Sequence, residues 1–208
     1  RVFKTSWRPL ILGTFIMLAT YTLFYLMTTF TLTFGTAAKD ADVAGLGYTR
    51  PEFLVMLIIG VVFFGIFTLV SGPLAERFGR RAMLLVVTAG IIAFGFLFVP
   101  LLGGGGVGVM AMLILGFTLM GLTFGPMAAV LPELFPTNVR YTGSAISYNM
   151  ASILGAAVAP FIAVALWTAG GGSPFLVGVY LAVMGAITFV ALLISKETRD
   201  IDYAGNVA

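Results

Sequence analysis

Four intervals of this sequence carry no charged residue at all: 9–38, 53–75, 82–132 and 141–195. A soluble fold needs charge on its outer surfaces, and stretches of this length leave none to place there. The hydrocarbon core of a bilayer is about 30 Å thick and a helix rises about 1.5 Å per residue, so about 20 apolar residues make one crossing. The intervals 9–38 and 53–75 each hold one crossing by that measure. The two longer ones hold two each, and both are broken by glycine runs that suit a tight hairpin, GGGGVG at 103–108 and GGGSP at 170–174. The expectation is an all-α membrane protein with helices near 9–34, 53–74, 82–102, 107–131, 141–168 and 174–195. A mean hydropathy of +1.10 agrees with it.

The charges then orient the chain. With six crossings both ends share one side of the bilayer, and that side holds Arg1, Lys4, Arg8, Arg77, Arg80, Arg81, Arg140, Lys196 and Arg199. Only Lys39 and Arg50 fall on the other. Short loops rich in Lys and Arg stay in the cytoplasm, so a multi-pass protein of the cell (inner) membrane with both ends cytoplasmic is expected. The net charge of +3 does not point to nucleic acid, because the cations lie between apolar runs and not on the face of a folded domain. The chain has no cysteine and no histidine. That excludes disulfides, thiolate metal sites and His-ligated haem, so no metal and no cofactor is expected, and it removes the commonest general base. An embedded enzyme is disfavoured too, since no nucleophile and base pair can be assembled inside the crossings. The chain starts at Arg1 instead of Met, as a piece of a longer one would, and its first apolar run is too long for a signal peptide.

One loop concentrates charge: Glu76, Arg77, Arg80 and Arg81 fall within six positions. Together with Gly72 and Gly79 they form G-x-x-x-E-R-x-G-R-R, which resembles the signature of the major facilitator superfamily. A topology anchor needs only the cations, whereas the two glycines suit a conformational latch: Gly72 for a close helix approach, Gly79 for a tight turn. Glu76 is expected to accept hydrogen bonds at a helix N-terminus, with the helix starting near Tyr141 as the candidate. Arg77 is expected to meet an acid or a helix C-terminus.

A second motif, P-E-x-x-P-x-x-x-R from Pro132 through Glu133 to Arg140, is similar to an element of sugar porters and their relatives. Its continuation VRYTGSAISYNMA looks most like the metabolite:proton symporters, although Asn138 stands where a second basic residue is frequent. The resemblance covers essentially the whole chain as the C-terminal half of such a transporter. It implies six helices in two inverted three-helix repeats, with a missing N-terminal half as partner.

Polar side chains sort the helices. Thr14, Tyr21, Tyr25 and Thr28 share one face of the first helix, and Ser144, Tyr148 and Ser152 recur every fourth residue in the fifth, with Asn149 beside them. Tyr21, Tyr25, Thr28, Tyr148, Asn149 and Ser152 are therefore the candidate substrate-binding residues, while the barer third and sixth helices suit lipid. Gly143, Ser147, Ala151, Gly155 and Ala159 form a close-packing stripe whose expected partner is a helix of the missing half. Gly121, Gly125 and Pro126 offer a bend in the fourth helix. No Asp, Glu, Lys, Arg or His lies inside any predicted crossing, so proton coupling and the binding of an anion would fall to the missing half. The expected function is alternating-access transport of a small polar metabolite (organic acid or betaine/amino-acid class) with protons. The alternative is a non-transporting or self-associating half-size membrane module.

Overall fold

The computed structural model describes residues 6–195, so Arg1, Lys4, Lys196 and Arg199 of the charge argument lie outside the described residues. The described chain is helical, with no strand. Five helices are long and apolar enough to cross a membrane: α1 (Trp7–Thr36), α2 (Arg50–Phe78), α5 (Gly105–Glu133), α6 (Arg140–Ala169) and α7 (Phe175–Ile194). Between α2 and α5 the expected crossing at 82–102 is interrupted. It consists of α3 (Arg80–Phe96) and a short α4 (Phe98–Leu102), joined at Leu97 by a tightened turn in which the Leu97 amide donates to the Phe94 carbonyl. Pro100 accounts for the break, because it has no N–H to return to the carbonyl four residues earlier.

Two further helices deviate in mid-course. α1 widens into a π-turn at Leu26–Phe30, where the Thr28 and Thr31 hydroxyls donate to the carbonyls of Phe24 and Met27. α6 does the same at Ile153–Ala157, just before Pro160, which again withdraws a backbone donor. In α5 the expected bend at Gly121, Gly125 and Pro126 falls within a continuous helix. The helix runs unbroken through Pro126, and its glycines bring α2 close: a Cβ at Gly121 would lie 2.6 Å from the Phe64 carbonyl oxygen, and one at Gly125 would overlap the Ser71 hydroxyl.

Two apolar cores stack along the bundle. One gathers Phe30, Phe34, Phe53, Phe94, Phe98 and Trp167 toward the end that carries Lys39. The other gathers Leu10, Ile16, Met17, Met127, Leu131 and Phe135 toward the arginine-rich end. Phe34 and Trp167 meet edge to face at 5.4 Å, the sort of aromatic contact that adds about 1 kcal/mol to simple burial. The 37–49 loop folds back on α1, its Leu46 and Tyr48 amides donating to the carbonyls of Phe34 and Gly35.

Helix α1 is held by its neighbours through its backbone. From α6, Ser147 donates to the Leu10 carbonyl at 3.1 Å, and Gly155 sits against Leu18 and Tyr21. From α7, Thr188 donates to the Phe15 carbonyl at 2.7 Å and accepts from the Ala19 amide at 3.0 Å. The small-residue stripe of α6 is thus corrected: Ser147 and Gly155 seat on α1 of the same chain, not on an absent helix. At the back of the bundle α3 and α7 touch main chain to main chain, where Gly95 and Gly178 each occupy the space a Cβ on the other would need.

Candidate functional site

A groove of about 340 Å³ opens between α1, α5 and α6 toward the arginine-rich end. Met17, Phe124, Met127, Leu131, Ser144 and Tyr148 are among its walls, which are mostly hydrocarbon and thioether with hydroxyls at one side. Tyr148 stands into it half-exposed. Tyr21 lies behind, buried, with its ring edge-on to Tyr148 at 5.4 Å and 88°. The buried Tyr21 ring backs Tyr148, whose half-exposed ring and phenolic oxygen can present a π-face or a hydrogen bond to a small solute.

The remaining candidates spread out. Tyr25 is half-buried and packs edge-on to Phe24 at 5.2 Å. Thr28 turns its hydroxyl onto its own helix, and the Asn149 side-chain amide donates to the Ala145 carbonyl at 2.8 Å. Ser152 is half-buried. The single face expected of α1 is divided, because α6 crosses α1 at Gly13 and Gly155: Met17 borders this groove, while Thr14 borders another, beside Ile146 and Met150. Sequence reasoning missed Met17 and Met127. Their signal was faint, since methionine at helical spacing reads as ordinary core.

The charged end is built by different pairs from those expected. After Gly79, whose φ of 93° only glycine adopts without strain, Arg80 forms an ion pair with Glu133 at the end of α5. Arg81 caps the last turn of α7, donating to the Leu192 carbonyl at 2.8 Å and the Leu193 carbonyl at 2.7 Å. That is the kind of helix C-terminus contact expected of Arg77, whose own guanidinium lies over the Phe78 ring at 5.4 Å. Glu76 is exposed, and α6 begins at Val139 with no side-chain cap, so the expected capping by Glu76 is not made. A Cβ at Gly72 would meet nothing within 4 Å, so the close approach it permits is not used inside this chain. Arg140 reaches the Phe135 carbonyl at 3.4 Å, bracing the loop that carries the second motif. Among the described residues no cluster of His, Cys, Asp or Glu could hold a metal ion.

Comparison with known proteins now bears on this arrangement. The family model described as "Sugar (and other) transporter" matches residues 3–201. An inner membrane metabolite transport protein of Escherichia coli K12 is 56% identical over 194 residues, covering 92% of this chain and 43% of the relative. A putative metabolite transport protein of Haemophilus influenzae is 45% identical, over 97% of this chain and 47% of its own length. A citrate-proton symporter of Salmonella typhi is 28% identical over 77% of the chain and 36% of the relative. The chain spans about half the length of the curated relatives it matches. No solved structure matches it.

Proposed function

We propose, given that the chain belongs to the sugar (and other) transporter family of the major facilitator superfamily, that it supplies the C-terminal half of a proton-coupled secondary transporter. As a member of that family it is a transporter of small metabolites and not an enzyme. On this reading residues 1–208 form one bundle of six crossings, α3 and α4 together making the third, and the bundle rocks against an N-terminal half around a site near the midplane. The groove beside Tyr148 is then this half's share of the substrate path. The observation that carries the reading is Tyr148, a half-exposed phenol on the wall of a mostly apolar groove, with the buried Tyr21 ring edge-on behind it. A substrate of the organic acid or betaine/amino-acid class fits the Tyr148 hydroxyl and ring. A relative in Dickeya dadantii named as a glycine betaine/proline/ectoine/pipecolic acid transporter, 29% identical, adds support. Gly72, Glu76 and Arg77 belong in this reading to the contact between halves.

The test is uptake by the full-length protein in membrane vesicles under an imposed proton gradient, with glycine betaine, proline and citrate as probes. Tyr148→Phe removes a hydroxyl and keeps the ring, so it should raise KM about five- to tenfold, the scale of one hydrogen bond, while leaving the amount of protein unchanged. Uptake that ignores both the gradient and the substitution would refute the reading.

Orientation is tested separately. A cysteine at Gly104 or Gly171, each in a hairpin on the side of Lys39, should react with a membrane-impermeant thiol reagent added outside intact cells. One at Asn138 should react only after the membrane is opened. Reversed labelling would place both chain ends outside.

A further inference from the structure

We infer that Thr188, on the outer helix α7 and away from the groove, is a positioning residue for the groove wall: its hydroxyl sets one rung of α1 and thereby fixes where Tyr21 meets Tyr148. The inference rests on the transport reading for its consequence, though not for its geometry. The carbonyl of Phe15 and the amide of Ala19, four residues apart, are the two groups that a regular helix joins directly. Thr188 touches both, donating its one hydrogen to the carbonyl and accepting from the amide, which a hydroxyl can do at once. Both groups lie in a continuous stretch of α1, so the hydroxyl braces that rung from the side of α7.

Most other threonines do otherwise, although Thr20 also reaches across, to the Met127 sulfur at 3.4 Å. Thr14, Thr22, Thr28, Thr36, Thr68 and Thr168 all donate to the carbonyl four residues back in their own helix. That arrangement is the default for a threonine in an apolar helix, where its hydroxyl needs a partner and the nearest carbonyl is its own. Thr188, fully buried, bonds across to α1 instead. The rung it occupies flanks Met17, a groove wall, and ends two residues before Tyr21. From the other side Gly155 of α6 closes the clamp, since a Cβ there would lie 2.9 Å from both the Leu18 carbonyl oxygen and the Tyr21 Cβ. With α1 gripped on both sides, the width of the rung passes to Tyr21 as a displacement and not as slack.

The experiment uses the full-length protein in membrane vesicles, in a cysteine-free background carrying Tyr21→Cys and Tyr148→Cys. The rate at which a short bis-methanethiosulfonate reagent bridges the two thiols, per inserted molecule, reports their juxtaposition without any substrate. Thr188→Ser keeps the hydroxyl and should cross-link at the parent rate. Thr188→Val keeps the shape without the hydroxyl and should cross-link about three- to tenfold more slowly, the scale of one hydrogen bond. Thr188→Ala serves the same purpose if valine inserts poorly. With both tyrosines restored, uptake of glycine betaine, proline or citrate should show KM raised about threefold by valine, Vmax per molecule retained, and KM restored by serine. Parent-rate cross-linking in valine and alanine variants, or a fall in Vmax alone, would overturn the inference. Failure to take up any of the three probes would count against the transport reading, and the cross-linking would still decide the role of Thr188.

Discussion

Gly178→Leu should all but eliminate the folded protein from the membrane. The third and last helices of the bundle, α3 and α7, meet where Gly95 and Gly178 bring their backbones together, and a Cβ at either would overlap the carbonyl oxygen of the other. Backbone cannot rotate away as a side chain can, so the helices must separate along their length. Separation would open the packing of Phe94 and Phe98 against Val177 and Leu181, all of them buried. Overpacking of a compliant core costs about 1–3 kcal/mol, and an obstruction met by two main chains belongs above that range. Folded yield measured by size-exclusion of a fluorescent fusion should collapse for Gly178→Leu and fall substantially for Gly95→Val. Gly65→Ala is the control, since a Cβ there meets nothing within 4 Å, and it should leave yield and melting temperature within about 0.5 kcal/mol of the parent. Parent-like melting of Gly178→Leu would show that α3 and α7 do not meet in this way.

Charge reversal at Arg80 or Glu133 should have the next largest effect, and reversal of both should undo it. Each side chain is only about one-fifth exposed, at 21% and 18%, and Glu133 sits at the end of α5 next to the groove wall at Pro132. Breaking such a pair leaves a partly buried charge beside a like one. The penalty for a fully buried pair is about 3–5 kcal/mol, and partial exposure reduces it to about 1–3 kcal/mol here. Arg80→Glu and Glu133→Arg should each lower the melting temperature and raise the reactivity of a cysteine at Ser152 toward cytoplasmic reagents. The double reversal should recover at least half of both changes. Glu76→Gln separates two kinds of latch: it should leave the isolated bundle's melting unchanged and alter reactivity only when the N-terminal half is present. No recovery in the double reversal would mean that Arg80 and Glu133 act independently.

The helical character of the chain was legible in charge-free intervals because a bilayer imposes a length that apolar runs either meet or fail. Helix interiors were less legible. Pro100 divides a segment that hydropathy reads as continuous, and the π-turns at Leu26–Phe30 and Ile153–Ala157 leave no trace in composition. The site was half readable. Tyr21 and Tyr148 come together as their shared polarity suggested, yet Thr28 and Asn149 satisfy their polar groups locally, because in an apolar helix the nearest backbone carbonyl competes with any distant partner. In the charged loop the residue types were informative but their assignment was not. Gly79 turns the chain so that Arg80 and Arg81 meet α5 and α7 while Glu76 stays exposed, and a one-dimensional motif does not encode that rotation.

The cap that Arg81 places on α7 also dictates an order of assembly. Its acceptors at Leu192 and Leu193 are 111 and 112 residues further along the chain, so at about 5–20 residues per second a ribosome delivers them roughly 6–20 s after Arg81 itself. Glu133, 53 residues after Arg80, arrives in about half that time. The loop is therefore secured in two stages, first to α5, which lines the groove, and then to α7. Until that second stage the two carbonyls that Arg81 caps, and the Gly178 backbone that packs on Gly95, have yet to be made.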